Sequence, residues 1–307
     1  MGLVEGGLLR GRVAIVTGAG RGLGRGEAIE LAAQGAAVVV NEFDAEVGQG
    51  VVDEITTAGG KAVLDTGDVS DVEAAGRLIA TAVEEFGQLD ALVNNAGILR
   101  DRTLVKMTPQ EWDDVIRVHL RGHYAPTRAA CTYWKESGRS GHIVCTASTS
   151  GLLGNFGQAN YGAAKAGIAA FSTIVAMEMA RYQVTCNAIA PAARTRMTES
   201  AYGDIAAAPG GGGTSFDFWH PDNVAPMVAF LCSDASAEIS GKVFGVQGDT
   251  VELYRPFTSA AAIENDQLRW TAEGLAERVG QLFAESGIAP QAENMMTKLR
   301  YTLTPRQ

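Results

Sequence analysis

A serine, a tyrosine and a lysine in this chain have the spacing needed to move a proton. Tyr161 and Lys165 are four residues apart, so a helix would place the phenol and the ammonium on one face. A free phenol titrates near ~10, and a neighbouring ammonium favours the phenolate and lowers that pKa. Ser148 lies thirteen residues before Tyr161 and can hydrogen-bond a substrate hydroxyl or carbonyl oxygen. These three side chains are therefore the candidate catalytic residues.

The composition is that of a soluble globular enzyme. Of 307 residues, 46% are hydrophobic and 20% are charged. The net charge of −10 argues against nucleic acid and an anionic membrane as partners. The four cysteines are scattered, so we expect no metal site and no disulfide. We find no uninterrupted apolar run of membrane-spanning length and no signal peptide, and therefore expect a cytoplasmic protein.

Short β-branched runs alternate with helical stretches along most of the chain. Strands are predicted at 13–17, 36–41, 61–64, 91–94, 142–147, 184–190 and 243–246, and one long helix within 108–136. Apolar strands that alternate with helices pair in parallel and are covered on both faces. The pattern predicts an α/β fold with a doubly wound, Rossmann-like, seven-stranded parallel sheet and helices on both faces.

The same pattern predicts one catalytic domain and a tail. Residues 1–256 are expected to form a single domain, in which the irregular, glycine-rich stretch at about 194–220 forms a lid. Residues 257–307 are expected to be a helical C-terminal extension. Its helix at 270–283 is expected to pack on a neighbouring subunit or on the lid.

A glycine-rich loop between the first strand and the first helix predicts a dinucleotide site. Gly18, Gly22 and Gly24 would let the backbone approach a pyrophosphate at the helix N-terminus. The loop also contains Gly20, Arg21 and Leu23. Glu42, after the second strand, can bind both ribose hydroxyls and would repel a 2′-phosphate, which favours NAD over NADP. Glu42 as an ordinary solvated carboxylate remains an alternative.

Two further stretches fall where a cofactor would bind in such a sheet. Asp68 and Val69 follow the third strand and can bracket an adenine by a hydrogen bond and an apolar contact. Asn94 ends the fourth strand and can tie strands together, and Gly97 leaves room for the cofactor. Asn95 and Ala96 complete this group. The carboxyl ends of the strands are where ligands bind in doubly wound sheets.

These motifs resemble those of the short-chain dehydrogenase/reductase family. Gly18-x-x-x-Gly22-x-Gly24, Asn94-Asn-Ala-Gly97, Ser148 and Tyr161-x-x-x-Lys165 match it in order and spacing over roughly residues 10–255. Narrower strings at 94–102, 117–122 and 154–161 are similar to the (3R)-hydroxyacyl-CoA dehydrogenase domain of peroxisomal multifunctional β-oxidation enzymes of type 2.

The resemblance implies NAD-linked oxidation of a 3-hydroxyacyl-CoA thioester. Tyr161 would be the general base, Lys165 would lower its pKa and bind the nicotinamide ribose, and Ser148 would position the substrate oxygen. Pro191 and Thr195 would line the nicotinamide site. His119 stands where most family members have Asn and would hold a water in a proton relay; a purely structural histidine is equally open.

The resemblance leaves other functions and contacts open. The alternatives are a 3-oxoacyl thioester reductase, a hydroxysteroid dehydrogenase and, from another class, an NAD-sensing protein without catalysis. The family implies a homodimer or homotetramer formed through helices near 109–136 and 159–181. Four arginines are hypothesised to contact the phosphates of the acyl-CoA substrate, with surface ion pairing as the alternative: Arg100, Arg102, Arg194 and Arg196.

Overall fold

An eight-stranded sheet forms the centre of the protein. A computed structural model describes residues 7–194, 216–255 and 257–292. The strands are β1 (Val13–Thr17), β2 (Ala37–Asn41), β3 (Lys61–Asp65), β4 (Ala91–Asn94), β5 (Gly141–Thr146), β6 (Val184–Pro191), β7 (Val243–Gln247) and β8 (Thr250–Leu253). Their order across the sheet is β3-β2-β1-β4-β5-β6-β7-β8, and β1 to β7 pair in parallel.

Helices cover both faces of this sheet. They are α1 (Gly22–Ala33), α2 (Ala45–Thr57), α3 (Val72–Phe86), α4 (Pro109–Ile116), α5 (Gly122–Ser137), α6 (Thr149–Leu153), α7 (Ala159–Met179), α8 (Ala225–Leu231), α9 (Ala272–Arg278) and α10 (Gly280–Ser286). One core cluster joins α1, α2 and α8 to the sheet, and a second joins α3, α5 and α7 to the opposite face. The predicted doubly wound α/β class is confirmed.

The strand order reverses between β1 and β4, and this reversal positions the site. From β1 the chain proceeds outward to β2 and β3, and then returns to the other side of β1 as β4. In open α/β sheets, ligands bind in the crevice beyond the carboxyl ends of the strands at such a reversal. The glycine loop after β1 and the residues after β4 therefore face one crevice.

The predicted count of seven parallel strands is wrong, because β8 adds an antiparallel edge strand. β8 pairs with β7 across a tight turn at Gly248 and Asp249, and Gly248 has a φ of 50°, in the left-handed region. Its sequence, Thr-Val-Glu-Leu, is short and interrupted by a charge, so it lacks the buried apolar run that marks the inner strands. Val251 and Leu253 are exposed accordingly.

The predicted long helix within 108–136 is divided by a π turn. α4 begins with a capping box between Thr108 and Glu111, and α5 ends at Ser137. Between them, Arg117–Arg121 form a π-helical turn. Such turns insert one residue into a helix and are frequent at functional sites. This one contains His119.

The predicted C-terminal extension is helical in part. Thr271 caps α9 by accepting from the Gly274 amide, and α10 follows directly. Neither helix contributes a buried residue. Residues 293–307 and nearly all of the predicted lid, 195–215, lie outside the described residues, so the division into one domain with a lid stays a prediction.

Among the described residues, one helix is long and apolar enough to cross a membrane by length and composition alone. It comprises α7 and the turn after it, Ala159–Tyr182. Ile168, Ala169 and Val175 of this helix are buried in the core cluster that it shares with the sheet. A core helix of a globular protein passes the same test, so its hydropathy is weak evidence for a membrane span.

The buried Asp90 carboxylate ties the amino ends of several strands together. It accepts hydrogen bonds from the Val13 amide at 2.8 Å, Gln88 Nε2 at 2.7 Å and Arg12 Nη1 at 3.2 Å. Asp90→Ala would leave these donors without their acceptor, and we expect it to lower the free energy of unfolding by about 3 kcal/mol. Urea titration would measure this change. The exposed Asp113→Ala is the control, and equal effects of the two substitutions would contradict the assignment.

Candidate active site

The glycine loop packs closely against itself and against the residues after β4. Gly18 has a φ of 62°, and a Cβ there would lie 2.8 Å from Ala96 Cα. A Cβ on Gly24 would lie 2.3 Å from the Gly18 carbonyl oxygen. Both positions therefore require glycine. The loop leads into the N-terminus of α1, where free amides and the helix dipole favour a phosphate.

Asn95 and Ala96 hold the glycine loop against the end of β4. Asn95 Nδ2 donates to the carbonyl oxygens of Thr17 at 3.0 Å and Gly18 at 3.1 Å. The amides of Asn95 and Ala96 both donate to Thr17 Oγ1. Asn94 is fully buried and donates to Thr127 Oγ1, which joins β4 to α5. The structure thus brings the predicted groups after β1 and β4 together.

Glu42 lies beside the glycine loop at the end of β2. Its Oε2 accepts from the Gly20 amide at 3.0 Å, and its Oε1 accepts from the Asp44 amide at 3.3 Å. Arg21 Nη2 is 3.7 Å from Asp44 Oδ2. The carboxylate is therefore oriented by the loop itself and is more than a freely solvated group.

Asp68 and Val69 occupy the predicted position after β3, with partners of their own. Asp68 accepts from the amide and hydroxyl of Ser70 and, at 2.9 Å, from Arg117 Nη1. Partial burial raises the pKa of Asp68, but these hydrogen bonds outweigh it and hold the pKa below its usual range. Val69 is buried against Gly122. Their contact with an adenine stays a prediction.

Ser148, Tyr161 and Lys165 converge at the carboxyl end of β5. Ser148 follows that strand and caps α6, where its Oγ accepts from the Ser150 amide at 3.1 Å. Tyr161 and Lys165 lie on α7, with Lys165 Nζ 5.6 Å from the centre of the phenol ring. Nζ donates to the carbonyl oxygen of Thr146, two residues before Ser148.

The lysine is buried, and burial changes its protonation. Only 2% of Lys165 is exposed. Burial lowers its pKa to about 7, against smaller opposing effects of Cys145 and Glu27. An ammonium held in a poorly solvated site acts on a neighbouring phenol more strongly than one in water. The arrangement can therefore stabilise a phenolate on Tyr161.

His119 packs against the tyrosine and is neutral. Its ring centre is 5.2 Å from that of Tyr161, edge to face, and a Cβ on Gly97 would lie 2.3 Å from its Cε1. Burial, followed by the charge of Lys165, lowers the pKa of His119 well below its usual value. Nε2 lies 2.7 Å from the Ile98 carbonyl oxygen and 3.0 Å from the Ile98 amide nitrogen, so it has a backbone partner in either tautomer. Nδ1 has no partner among the described residues, so it can hydrogen-bond a water.

Comparison with known proteins agrees with this geometry. A family model described as short chain dehydrogenase matches residues 12–205.

The chain belongs to the short-chain dehydrogenase family.

Relatives in this family are 44% identical to the chain over the aligned residues. It is 44% identical over 288 residues to hydroxyacyl-CoA dehydrogenase ChsB1 of Mycobacterium tuberculosis, covering 90% of each protein. It is 44% identical over 245 residues to peroxisomal multifunctional enzyme type 2 of Mus musculus, covering 77% of this chain and 31% of that enzyme. A solved short chain dehydrogenase from Mycobacterium avium has a TM-score of 0.82 at 44% identity, covering 91% of this chain and 97% of that one.

As a short-chain dehydrogenase the protein is an oxidoreductase, and its crevice fits a nicotinamide dinucleotide. The glycine loop leads into the N-terminus of α1, which favours a phosphate, and the Glu42 carboxylate lies beside this loop. Pro191 ends β6, and its contact with a nicotinamide stays a prediction. Thr195 and Arg196 lie outside the described residues, so their predicted contacts are untested.

Asn160 is a site residue of this dehydrogenase that the sequence reasoning missed. It is fully buried, and its Nδ2 donates to the carbonyl oxygens of Arg100 at 3.1 Å and Glu111 at 3.0 Å. Its Oδ1 accepts from the Tyr161 amide at 2.7 Å. Asn160 thus fixes the start of α7 to the loop after β4. In the sequence, the one sign of this role is that an asparagine directly precedes Tyr161.

The structure also describes two of the predicted arginines and the four cysteines. Arg102 pairs with Glu111, and Arg194 pairs with Asp217. All four cysteines are free thiols. Across the described ranges, no group of three or more His, Cys, Asp or Glu side chains could hold a metal ion.

Proposed function

We propose that this dehydrogenase oxidises the 3-hydroxyl group of 3-hydroxyacyl-CoA thioesters to a 3-oxo group, with NAD⁺ as the cofactor. The observation that carries the proposal is the Ser148, Tyr161 and Lys165 constellation beside a dinucleotide crevice. Two relatives, each 44% identical, are named as a hydroxyacyl-CoA dehydrogenase and a multifunctional enzyme of peroxisomes. Their names support the thioester as the substrate class.

In this proposal Tyr161 is the group that accepts a proton from the substrate. Ser148 Oγ hydrogen-bonds the substrate oxygen, and the Tyr161 phenolate takes the hydroxyl proton. The Lys165 ammonium stabilises the phenolate before transfer, because it is buried next to the phenol ring. Bound NAD⁺ supplies the hydride acceptor. A water on His119 Nδ1 is the proposed route by which the proton leaves the buried site.

A substrate panel tests the reaction directly. (3R)- and (3S)-hydroxyacyl-CoAs, linear and steroidal, would each be incubated with NAD⁺ and with NADP⁺, and reduced cofactor would be followed by absorbance. We expect turnover of at least one 3-hydroxyacyl-CoA with NAD⁺. A faster reaction of 3-oxoacyl thioesters with NADPH would support the reductase instead. No turnover of any thioester would reject the proposal.

The choice of NAD over NADP is attributed to Glu42. Its carboxylate, fixed by the Gly20 amide, would repel a 2′-phosphate and accept from ribose hydroxyls. Glu42→Ala is expected to lower the ratio of kcat/KM for NAD⁺ to that for NADP⁺ by at least about tenfold. The control is Glu46→Ala, which removes an exposed carboxylate from the first turn of α2. An unchanged ratio in Glu42→Ala would show that other groups select the cofactor.

We also propose a homodimer or homotetramer. The α4, α5 and α7 helices carry large apolar side chains that are exposed in the single chain: Trp112, Tyr124, Ile174 and Met177. Such residues on adjacent helices favour burial against a second copy. Light scattering coupled to size exclusion would give the mass in solution.

A further inference from the structure

Two loops form a rigid ribbon beside the active site. The Arg102 amide donates to the Gly157 carbonyl oxygen at 2.9 Å, and Arg102 and Gln158 form an isolated parallel bridge. Gln158 Nε2 donates to Asp101 Oδ2 at 2.7 Å, and Asn155 Nδ2 donates to Gln158 Oε1 at 3.0 Å. The segments 100–102 and 155–158 therefore hold each other in place.

The ribbon is attached to the catalytic tyrosine. Asn160 donates to the Arg100 carbonyl oxygen and accepts from the Tyr161 amide. A substrate whose hydroxyl reaches Tyr161 can thus extend its distal part over this ribbon. Side chains fixed on a rigid support bind with a smaller loss of conformational entropy.

The ribbon displays an unpaired guanidinium and an exposed aromatic ring. Phe156 is 86% exposed. Arg100 is exposed, and its guanidinium donates to the neighbouring Leu99 carbonyl oxygen but, in the described structure, pairs with no carboxylate. The nearby acids are engaged: Asp101 with Gln158, and Glu111 with Arg102. Lys106 adds a further cation a few residues along the chain.

We propose that Arg100 and Phe156 bind the adenosine phosphate part of coenzyme A. A guanidinium offers the fork of donors that phosphate oxygens accept, and an aromatic face stacks on an adenine. The chain carries a net charge of −10, so an anionic ligand needs such a local cationic patch. Arg194 is excluded from this role because Asp217 already neutralises it. This inference rests on the proposed thioester substrate.

The test compares two thioesters that have the same 3-hydroxyacyl group and differ in the thiol to which it is joined. A 3-hydroxyacyl-CoA carries the adenosine phosphates, and the matching N-acetylcysteamine thioester lacks them. We expect Arg100→Ala and Phe156→Ala each to raise KM for the CoA thioester about tenfold and to leave KM for the truncated thioester unchanged. Added salt should raise KM for CoA in the wild type more than in Arg100→Ala. Arg77→Ala and Phe257→Ala remove an exposed arginine and an exposed phenylalanine elsewhere and serve as controls.

The outcomes separate this inference from the proposed function. Equal changes in KM for both thioesters, or no change in either, would overturn the role of the ribbon while turnover of the thioester still stands. A changed oligomeric mass in Arg100→Ala or Phe156→Ala would also overturn it, because the ribbon would then be a contact between copies. Failure of the wild type to oxidise either thioester would instead overturn the proposed function.

Discussion

Replacing Tyr161 with Phe is expected to lower kcat for alcohol oxidation roughly 10³-fold, within the range that general acid–base catalysis contributes. The substitution removes the one oxygen that the buried Lys165 is placed to ionise, and keeps the ring that packs against His119. Steady-state kinetics with NAD⁺ and the best substrate of the panel would measure the loss. The cofactor dissociation constant, from fluorescence titration, should change little.

The matched control is Tyr182→Phe, which removes a phenol from the turn that follows α7. We expect it to retain wild-type kcat, since Tyr182 lies at the opposite end of this helix from Tyr161 and Lys165. If Tyr161→Phe kept more than a third of wild-type kcat, the proton would have another acceptor. The buried neutral His119 would then be the next group to substitute.

The sequence could predict those parts of the site whose geometry is set by residue spacing within one helix or one loop. Tyr161 and Lys165 meet because both lie on α7 at a helical interval. The glycine loop was recognisable since a strand precedes it and a helix follows, so local order already defines the pocket. The parallel sheet followed from uninterrupted buried strands such as β2 and β6.

Features that depend on distant partners could not be predicted in this way. Asn160 acts through carbonyl oxygens 49 and 60 residues away, and no local period marks such a contact. The π turn around His119 lies between α4 and α5 with no break in the chain of helical residues, so the sequence predicts one continuous helix. β8 was missed because one exposed edge strand needs no apolar run.

A buried acid on α1 was also invisible from the sequence. Glu27 is 0% exposed on α1, a helix that packs against α8, and neither carboxylate oxygen has a hydrogen-bond partner within the described residues. A glutamate in the first helix would ordinarily be read as solvated. Burial raises its pKa to about 8, although the charge of Lys165 acts in the opposite direction.

Glu27→Leu is expected to stabilise the fold increasingly as the pH rises. An unfolded Glu ionises near ~4.3, whereas in the folded protein the carboxyl of Glu27 keeps its proton up to about pH 8. Between these values the folded state binds more protons than the unfolded state, so wild-type stability falls with rising pH. The penalty is absent below the unfolded pKa and complete near pH 8. There the leucine variant should be more stable by on the order of 3–5 kcal/mol.

Urea unfolding at a fixed protein concentration, repeated from pH 5 to pH 8, would measure this difference. Glu27→Gln separates ionisation from polarity, because the amide keeps the shape and the unpartnered polar atoms but cannot titrate. It should remove the Glu27 part of the pH slope while gaining less stability than Leu, since the amide remains buried without partners. A wild-type slope retained in Glu27→Gln would mean that the carboxyl ionises equally in both states. The orphaned oxygens of Glu27 would then be solvated in the native protein, and α1 would be less tightly packed against α8 than the buried carboxyl indicates.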